Sequence, residues 1–231
     1  MMNIFEEFYL KTQNFTFTVI PNNYPKEYNG VKVIPLPKPR EIVEGFHKVI
    51  TTRSSTRRFM EEKVDISAIS DLLYYSVGVR KKESEVIYRM FPSAGGLAES
   101  EVYLVPLISD LEVGIYHYNP LSHSLEKLNI EIELEILKSD IVSSIPDINA
   151  IPLLLILTAR YWKALAKYGN RGGRFVFIDI GIVMENFYLV ATALNLGICA
   201  VGGFNDYIFN RALDLKNNEV VLGLLVVGKK N

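Results

Sequence analysis

Apolar residues recur at spacings of three and four in "EIVEGFHKVITTR", where Ile42, Val43, Phe46, Val49 and Ile50 form one face of an amphipathic helix. A second such helix begins at an N-cap, Asp65 or Ser67, in "DISAISDLLYYSVGV" and ends near Gly78. Between them lies the polar loop "RSSTRRF". Short β-branched and aromatic runs, "SEVYLVPLI", "VGIYHYNP" and "HSLEKLN", predict strand, strand, turn and strand. "IEIELEILKSDIV" has helical spacing, and "AIPLLLILTA" is a continuous apolar run that predicts a strand buried on both faces.

Residues 172–196 lack proline and are apolar nearly all round, which predicts a long helix buried on most sides, with Gly197 as the residue past its end. "GICAVGGFND" is a strand running into a loop, "NRALDL" a short helix, and "EVVLGLLVVG" a final strand. Residues 1–40, rich in Asn, Tyr and Pro, read as an irregular N-terminal arm. Interleaved helices and strands without repeats or a linker predict one α+β domain over residues 41–231.

Composition narrows the function classes. The 231 residues are 49% hydrophobic, enough for a sizeable core, and 25 Lys plus Arg nearly balance 26 Asp plus Glu. No global field then points to nucleic acid or an anionic membrane, so a charged ligand must be met locally. The single cysteine, Cys199, excludes an internal disulfide and reads as a packed apolar residue. The N-terminus has no secretory pattern, and the apolar runs from Ile151 and Val220 are short for a transmembrane helix, so a cytoplasmic location is the expectation. His47, His117 and His123 lack metal-ligand spacing or a carboxylate pattern beside them, and no metal is expected.

Several short segments carry possible chemistry. "RSSTRRF" gathers Arg53, Arg57 and Arg58 around Ser54, Ser55 and Thr56, donors suited to a phosphate, although such a loop can equally be plain solvated surface. "PSAGG", Pro92 to Gly96, is either a turn or a cradle that lets another body approach the backbone. "YWKALAKYGNRGGR" interleaves bases with aromatics and reads as a basic rim rather than a nucleic-acid site. Neither GxxxxGK[ST] nor GxGxxG is present.

Taken in order, "RSSTRRF", "PSAGG", "GIYHYNP", "KYGNRGGR", the long helix and "GGF" resemble the nitroreductase superfamily of flavin enzymes, and within it the SagB-type branch of thiazole and oxazole dehydrogenases. The resemblance runs from about Val43 to Lys229 and implies a nitroreductase-like α+β fold, with an antiparallel-rich central sheet flanked by helices. It further implies an intertwined homodimer with FMN at the interface. On that resemblance Arg53, Ser54, Ser55 and Arg57 hold the FMN phosphate and ribityl chain, with Lys229 completing the phosphate site. Pro92, Ser93 and Ala94 lie along the flavin from the partner subunit, and Gly95 and Gly96 permit close approach. The Gly202 N–H points at flavin N5 and Gly203 continues that loop, while Asn186 stands among the cofactor contacts of the long helix. Lys167 and Tyr168 match the catalytic Lys-Tyr pair, and desolvation by Trp162 and Tyr168 would make Lys167 a usable base.

The chain departs from the branch after PSAGG, where Ala98-Glu99 replace Tyr-Pro, and in the long helix, where Ile182 and Glu185 replace His and Gln. The expected function is two-electron oxidation of azoline-type rings in peptides. An NAD(P)H-dependent nitro- or quinone-reductase and an idle flavin-binding scaffold of a peptide-modifying complex are the alternatives.

Overall fold

The computed structural model describes residues 3–141, 145, 147–216 and 218–231. The continuous apolar runs form the centre of a seven-stranded sheet: β4 (Ser100–Pro106), β7 (Leu153–Ala159) and β9 (Val220–Lys229). Around them the order is β1 (Lys32–Pro35), β6 (Ser124–Lys127), β5 (Tyr116–Asn119), β4, β7, β9, β8 (Leu196–Val201). Every pairing in it is antiparallel.

Two periodicities meet across this sheet. Leu104, Leu155 and Leu225, in register, face one layer, while Tyr103, Ile156 and Leu224 face the other. The first face packs under α3 (Ile66–Val77) and α6 (Gly172–Ala193) through Leu72, Leu73, Val183 and Phe187. The second packs under α4 (Leu134–Ile141) and α7 (Asp206–Ala212) through Leu137 and Phe209. Each large apolar side chain so buried contributes about 1.5–3 kcal/mol, which is why β7 needs no polar face.

Caps place the helix ends. Asp65 accepts from the Ala68 N–H at 2.8 Å to start α3, and Gly78 closes it by donating to the Tyr74 carbonyl. The first predicted helix is shorter than its pattern: α2 runs Phe46–Thr52, because Gly45 is extended and forms the cap. The helix predicted from Ile130 forms only from Leu134, and α7 starts at Asp206, where Asn205 caps it by accepting from the Tyr207 N–H. The end of α6 falls earlier than expected: Asn195 takes the left-handed conformation, φ 57°, and Gly197 belongs to β8.

The N-terminal arm is less irregular than its composition predicts. Asn3 and Glu6 make a reciprocal capping box for α1 (Ile4–Lys11), and β1 adds an edge strand to the sheet. A separate hairpin, β2 (Val79–Glu83) with β3 (Val86–Arg89), and α5 (Trp162–Tyr168) complete the elements used below.

The long helix also differs from expectation. It is buried on one side, but Phe177 and Ile178 are 58% and 55% exposed. Trp162–Ala193 is long and apolar enough to cross a membrane by length and composition, with 39% of its most apolar window buried within the fold.

Candidate active site

The RSSTRRF loop leaves α2 at Arg53 and lies across the ends of β8 and β9. The Thr56 N–H donates to the Ile198 carbonyl at 2.8 Å and the Met60 N–H to the Lys229 carbonyl at 3.1 Å, while the buried Phe59 anchors the loop. The strands must be bare here: a methyl group on Gly228 would stand 2.7 Å from Pro152 and 2.9 Å from Phe59. On this platform Ser55 Oγ lies 3.1 Å from the Tyr188 hydroxyl, which itself accepts the Ala200 N–H at 2.7 Å. The Arg53 guanidinium stands 5.5 Å from the Tyr188 ring centre. Ser54, Arg57 and Arg58 are exposed, and among the described residues neither Arg53, Arg57 nor Arg58 pairs with a carboxylate. Lys229, by contrast, donates to Glu62 at 2.8 Å.

β8 then runs into Gly202 and Gly203, both exposed. Nothing lies within 4 Å of where a side chain on Gly202 would begin. Beside it a cleft of about 380 Å³ is lined by Phe177, Met184, Gly202, Phe204, Leu222 and Gly223.

The PSAGG stretch is a cradle with a fixed shape. Gly95 and Gly96 take φ of +59° and +69°, conformations that disfavour any side chain. Four side-chain bonds set the loop. Ser93 Oγ accepts the Ala98 N–H at 2.9 Å, Asp179 accepts the Ala94 N–H at 2.7 Å, Asn23 donates to the Gly96 carbonyl, and Lys167 Nζ donates to the Gly95 carbonyl at 3.0 Å. Lys167 is buried, and Tyr168 next to it is enclosed by the rings of Phe15, Phe17 and Phe175. A second cleft, about 340 Å³, opens between Pro92–Gly95, Tyr168, Phe175 and Asp179. The two clefts share no lining residue.

Asn186 serves the scaffold: its amide donates to the Ser76 and Met90 carbonyls and ties α6 to α3 and to the chain leading into the cradle.

The comparisons fit this geometry. The family model "Nitroreductase family" matches residues 50–229. The chain belongs to the nitroreductase family. MJ1384 of Methanocaldococcus jannaschii, which carries a nitroreductase name, is 32% identical over 203 residues, 85% of this chain and 96% of the relative. The microcin B17-processing protein McbC of Escherichia coli is 27% identical over 193 residues, 76% of this chain and 70% of McbC, in agreement with the SagB-type branch. The solved E. coli microcin synthetase McbBCD complex with truncated pro-MccB17 bound contains a chain of the same fold, with a TM-score of 0.66 at 24% identity, covering 88% of this chain and 79% of that one.

A flavin of this family suits the residues present. Arginines without carboxylate partners and hydroxyls on the RSSTRRF loop match a phosphate, the open face of Gly202 leaves space for a ring, and the cradle's glycines permit flat contact. Both clefts lie in the range of about 300–1,000 Å³ that ligand sites occupy.

Charged groups that the sequence left unnoticed stand behind the cradle. Glu99 is fully buried, and neither of its oxygens has a donor from another of the described residues; its carboxyl faces that of Asp179. Burial first, then the Asp179 charge, pushes Glu99 up to about 8. Lys163, one helical turn before Lys167, is also fully buried, donates to the Tyr24 carbonyl at 2.9 Å and is lowered to about 8, chiefly by burial. On the other face of the sheet His117 is held between Glu126 at 2.8 Å and Glu101 at 3.2 Å, which corrects the expectation that it lacks a carboxylate setting. Those partners come from neighbouring strands rather than neighbouring sequence. Among the described residues no group of three His, Cys, Asp or Glu is arranged to hold a metal ion.

Proposed function

We propose that the protein is an FMN-dependent oxidoreductase of the SagB type that acts as a homodimer and desaturates an azoline-type ring in a peptide. The observation that carries this reading is the position of Lys167, buried, bonded to the Gly95 carbonyl and set beside Tyr168 at the cradle. A lysine that served only solubility would stand in solvent.

FMN, when bound, accepts the hydride that leaves the ring. The chain's own residues do the rest. Arg53, Ser54, Ser55 and Arg57 would hold the phosphate and ribityl chain by charge-assisted bonds, and the Gly202 and Gly203 peptides would contribute backbone N–H donors to the ring. Pro92–Gly96 of the partner subunit cover the other side. Lys167 takes the proton that must leave with the two electrons, and Tyr168 and the aromatic cage keep water from that base. McbC's similarity, and the peptide bound in the McbBCD complex, support a peptide substrate and a role beside other proteins.

The similarity to MJ1384 supports a second reading, reduction of a small nitro or quinone acceptor with NAD(P)H. One series separates them: the visible spectrum of the purified protein with added FMN, then anaerobic titration with NADPH, then an azoline-bearing peptide. Flavin bands that bleach with the peptide and not with NADPH support the dehydrogenase, and bleaching by NADPH supports the reductase. A bound flavin that neither reduces indicates a scaffold, and no bound flavin refutes the proposal.

A further inference from the structure

Behind the cradle, Glu99 points into the protein with no exposed surface. Both of its oxygens are shut from water and from every N–H or O–H of other described residues. Its neighbour is the carboxyl of Asp179 on α6, 2% exposed, whose Oδ2 accepts the Ala94 N–H at 2.7 Å. Two carboxylates cannot sit so close, both charged and buried, without a hydrogen between them. Among the described residues no other residue donates to Glu99, so the hydrogen between the two carboxyls is a proton on one of the pair. Asp179 accepts the Ala94 N–H, and the bond between the two carboxyls favours the charged form of Asp179 and the neutral form of Glu99, so the proton belongs on Glu99.

We propose that Glu99 and Asp179 share one proton, carried by Glu99, and that this proton holds Asp179 on the Ala94 N–H and so keeps the Pro92–Gly96 cradle in its flavin-binding shape. Glu99 is then a positioning residue, acting through Asp179 on the backbone that would lie against the ring. The inference rests on the flavin reading above.

Loss of the proton leaves two buried anions side by side. Their repulsion separates them, Asp179 leaves Ala94, and the loop loses one of its four side-chain ties. The other charged groups around the pair are Lys163 on α5, which faces Glu99, and Arg160, Glu101 and Arg89, which act on Lys163. Lys163 changes charge in the same range as Glu99, so wild-type titration alone does not identify the group. The Glu99→Gln variant does: it keeps the shape and an N–H donor to Asp179, and it cannot lose a proton.

The test is the Kd of FMN for flavin-free protein, followed by flavin fluorescence from about pH 6 to about pH 10. Wild type should bind most tightly at the acid end, with Kd rising towards the limit of about tenfold per pH unit, one proton's worth, above about 8. Glu99→Gln should match wild type at the acid end and stay level. Parallel curves for the two proteins would overturn the inference while leaving the flavin reading intact. If FMN does not bind at any pH, the flavin reading fails and the link to the cradle falls with it. The shared proton has its own readout in infrared spectra of flavin-free protein. A protonated-carboxyl band that persists well above the usual carboxylate range in wild type, and is missing in Glu99→Gln, supports sharing; absence of that band from wild type overturns it.

Discussion

The two glycines of the cradle allow a paired experiment on the Lys-Tyr pair. Gly95 and Gly96 have nearly the same backbone, φ +59° and +69°, so alanine at either pays the same conformational penalty. That penalty is about 1–2 kcal/mol, offset by about 0.4–1 kcal/mol because alanine orders the unfolded chain. The net, roughly 1 kcal/mol, lowers Tm by about 2–4 °C in a chain of this size. The surroundings differ. A methyl group on Gly96 meets nothing within 4 Å, whereas one on Gly95 runs into the Tyr168 hydroxyl and the Lys167 ammonium. The clash is relieved by displacing the pair, which costs position and, because it breaks the Lys167–Gly95 bond, about 1 kcal/mol more than at Gly96. If Lys167 is the base, displacing it forfeits the ~10²–10⁴-fold that a positioned base supplies. The assay is loss of two hydrogens from an azoline peptide, read by mass spectrometry, with Tm of both variants and Lys167→Met as the reference. At saturating FMN, Gly95→Ala should fall to the Lys167→Met level while Gly96→Ala, whose methyl group enters the cradle, loses FMN affinity but keeps turnover above that level, with the Tm of Gly95→Ala lower than that of Gly96→Ala by about 2–4 °C. Equal turnover in the two glycine variants would refute the reasoning, whatever their Tm.

Three further outcomes follow from the geometry. Arg57→Ala should weaken FMN binding by about tenfold to a hundredfold, the worth of one bond to a charged group, with Tm of the flavin-free protein unchanged, as measured by fluorescence titration and calorimetry. Burial works against the Glu101 charge, but His117, Arg160 and Arg89 outweigh it and hold the carboxyl down to about 2, below its ordinary 4.5. A lowered acid stabilises the fold above its unfolded value and loses that contribution as pH falls. Thermal unfolding should therefore show on the order of 3 kcal/mol of stability lost between about pH 4.5 and about pH 2, a loss that Glu101→Gln flattens. The proposed dimer should sediment as such in wild type and as monomer in Phe177→Glu, on the exposed side of α6, with the fold intact.

What the sequence disclosed depended on where each signal resided. β7 and β9 are legible because strands buried on both faces have no polar positions to confuse the pattern, and α3 because its cap and its apolar face agree. The β2–β3 hairpin escaped because "VRKKE" faces solvent and only Ile87 and Arg89 of its partner are buried. α1 escaped for a related reason: Ile4, Phe5 and Phe8 are exposed in the single chain, so they supply no core-facing pattern. Lys167 and Tyr168 were found through family resemblance, not through spacing. Glu99, Asp179 and Lys163 lie on different elements, and nothing local distinguishes a buried charge from a solvated one. His117 shows the same limit, since its partner Glu126 is set by strand register, opposite it on β6.

The arrangement along α6 supports a second copy in the proposed enzyme. The helix spans 22 residues, about 33 Å at 1.5 Å per residue, and offers different faces to the two clefts. Phe177 and Met184 line the one beside Gly202; Phe175, Asp179 and Ile182 line the one beneath the cradle. No residue is common to both, so the Gly202 cleft and the Pro92–Gly96 cleft are separate in one chain. A two-fold related copy resolves this, because it can bring its cradle to the first chain's Gly202 face and receive the reciprocal contact. The same approach would cover Phe177 and Ile178 and the apolar residues of α1 and α2 that a monomer leaves in water, Phe5 and Phe46 among them. In the proposed dimer one surface thus meets both demands, burial of stranded apolar area and completion of the site.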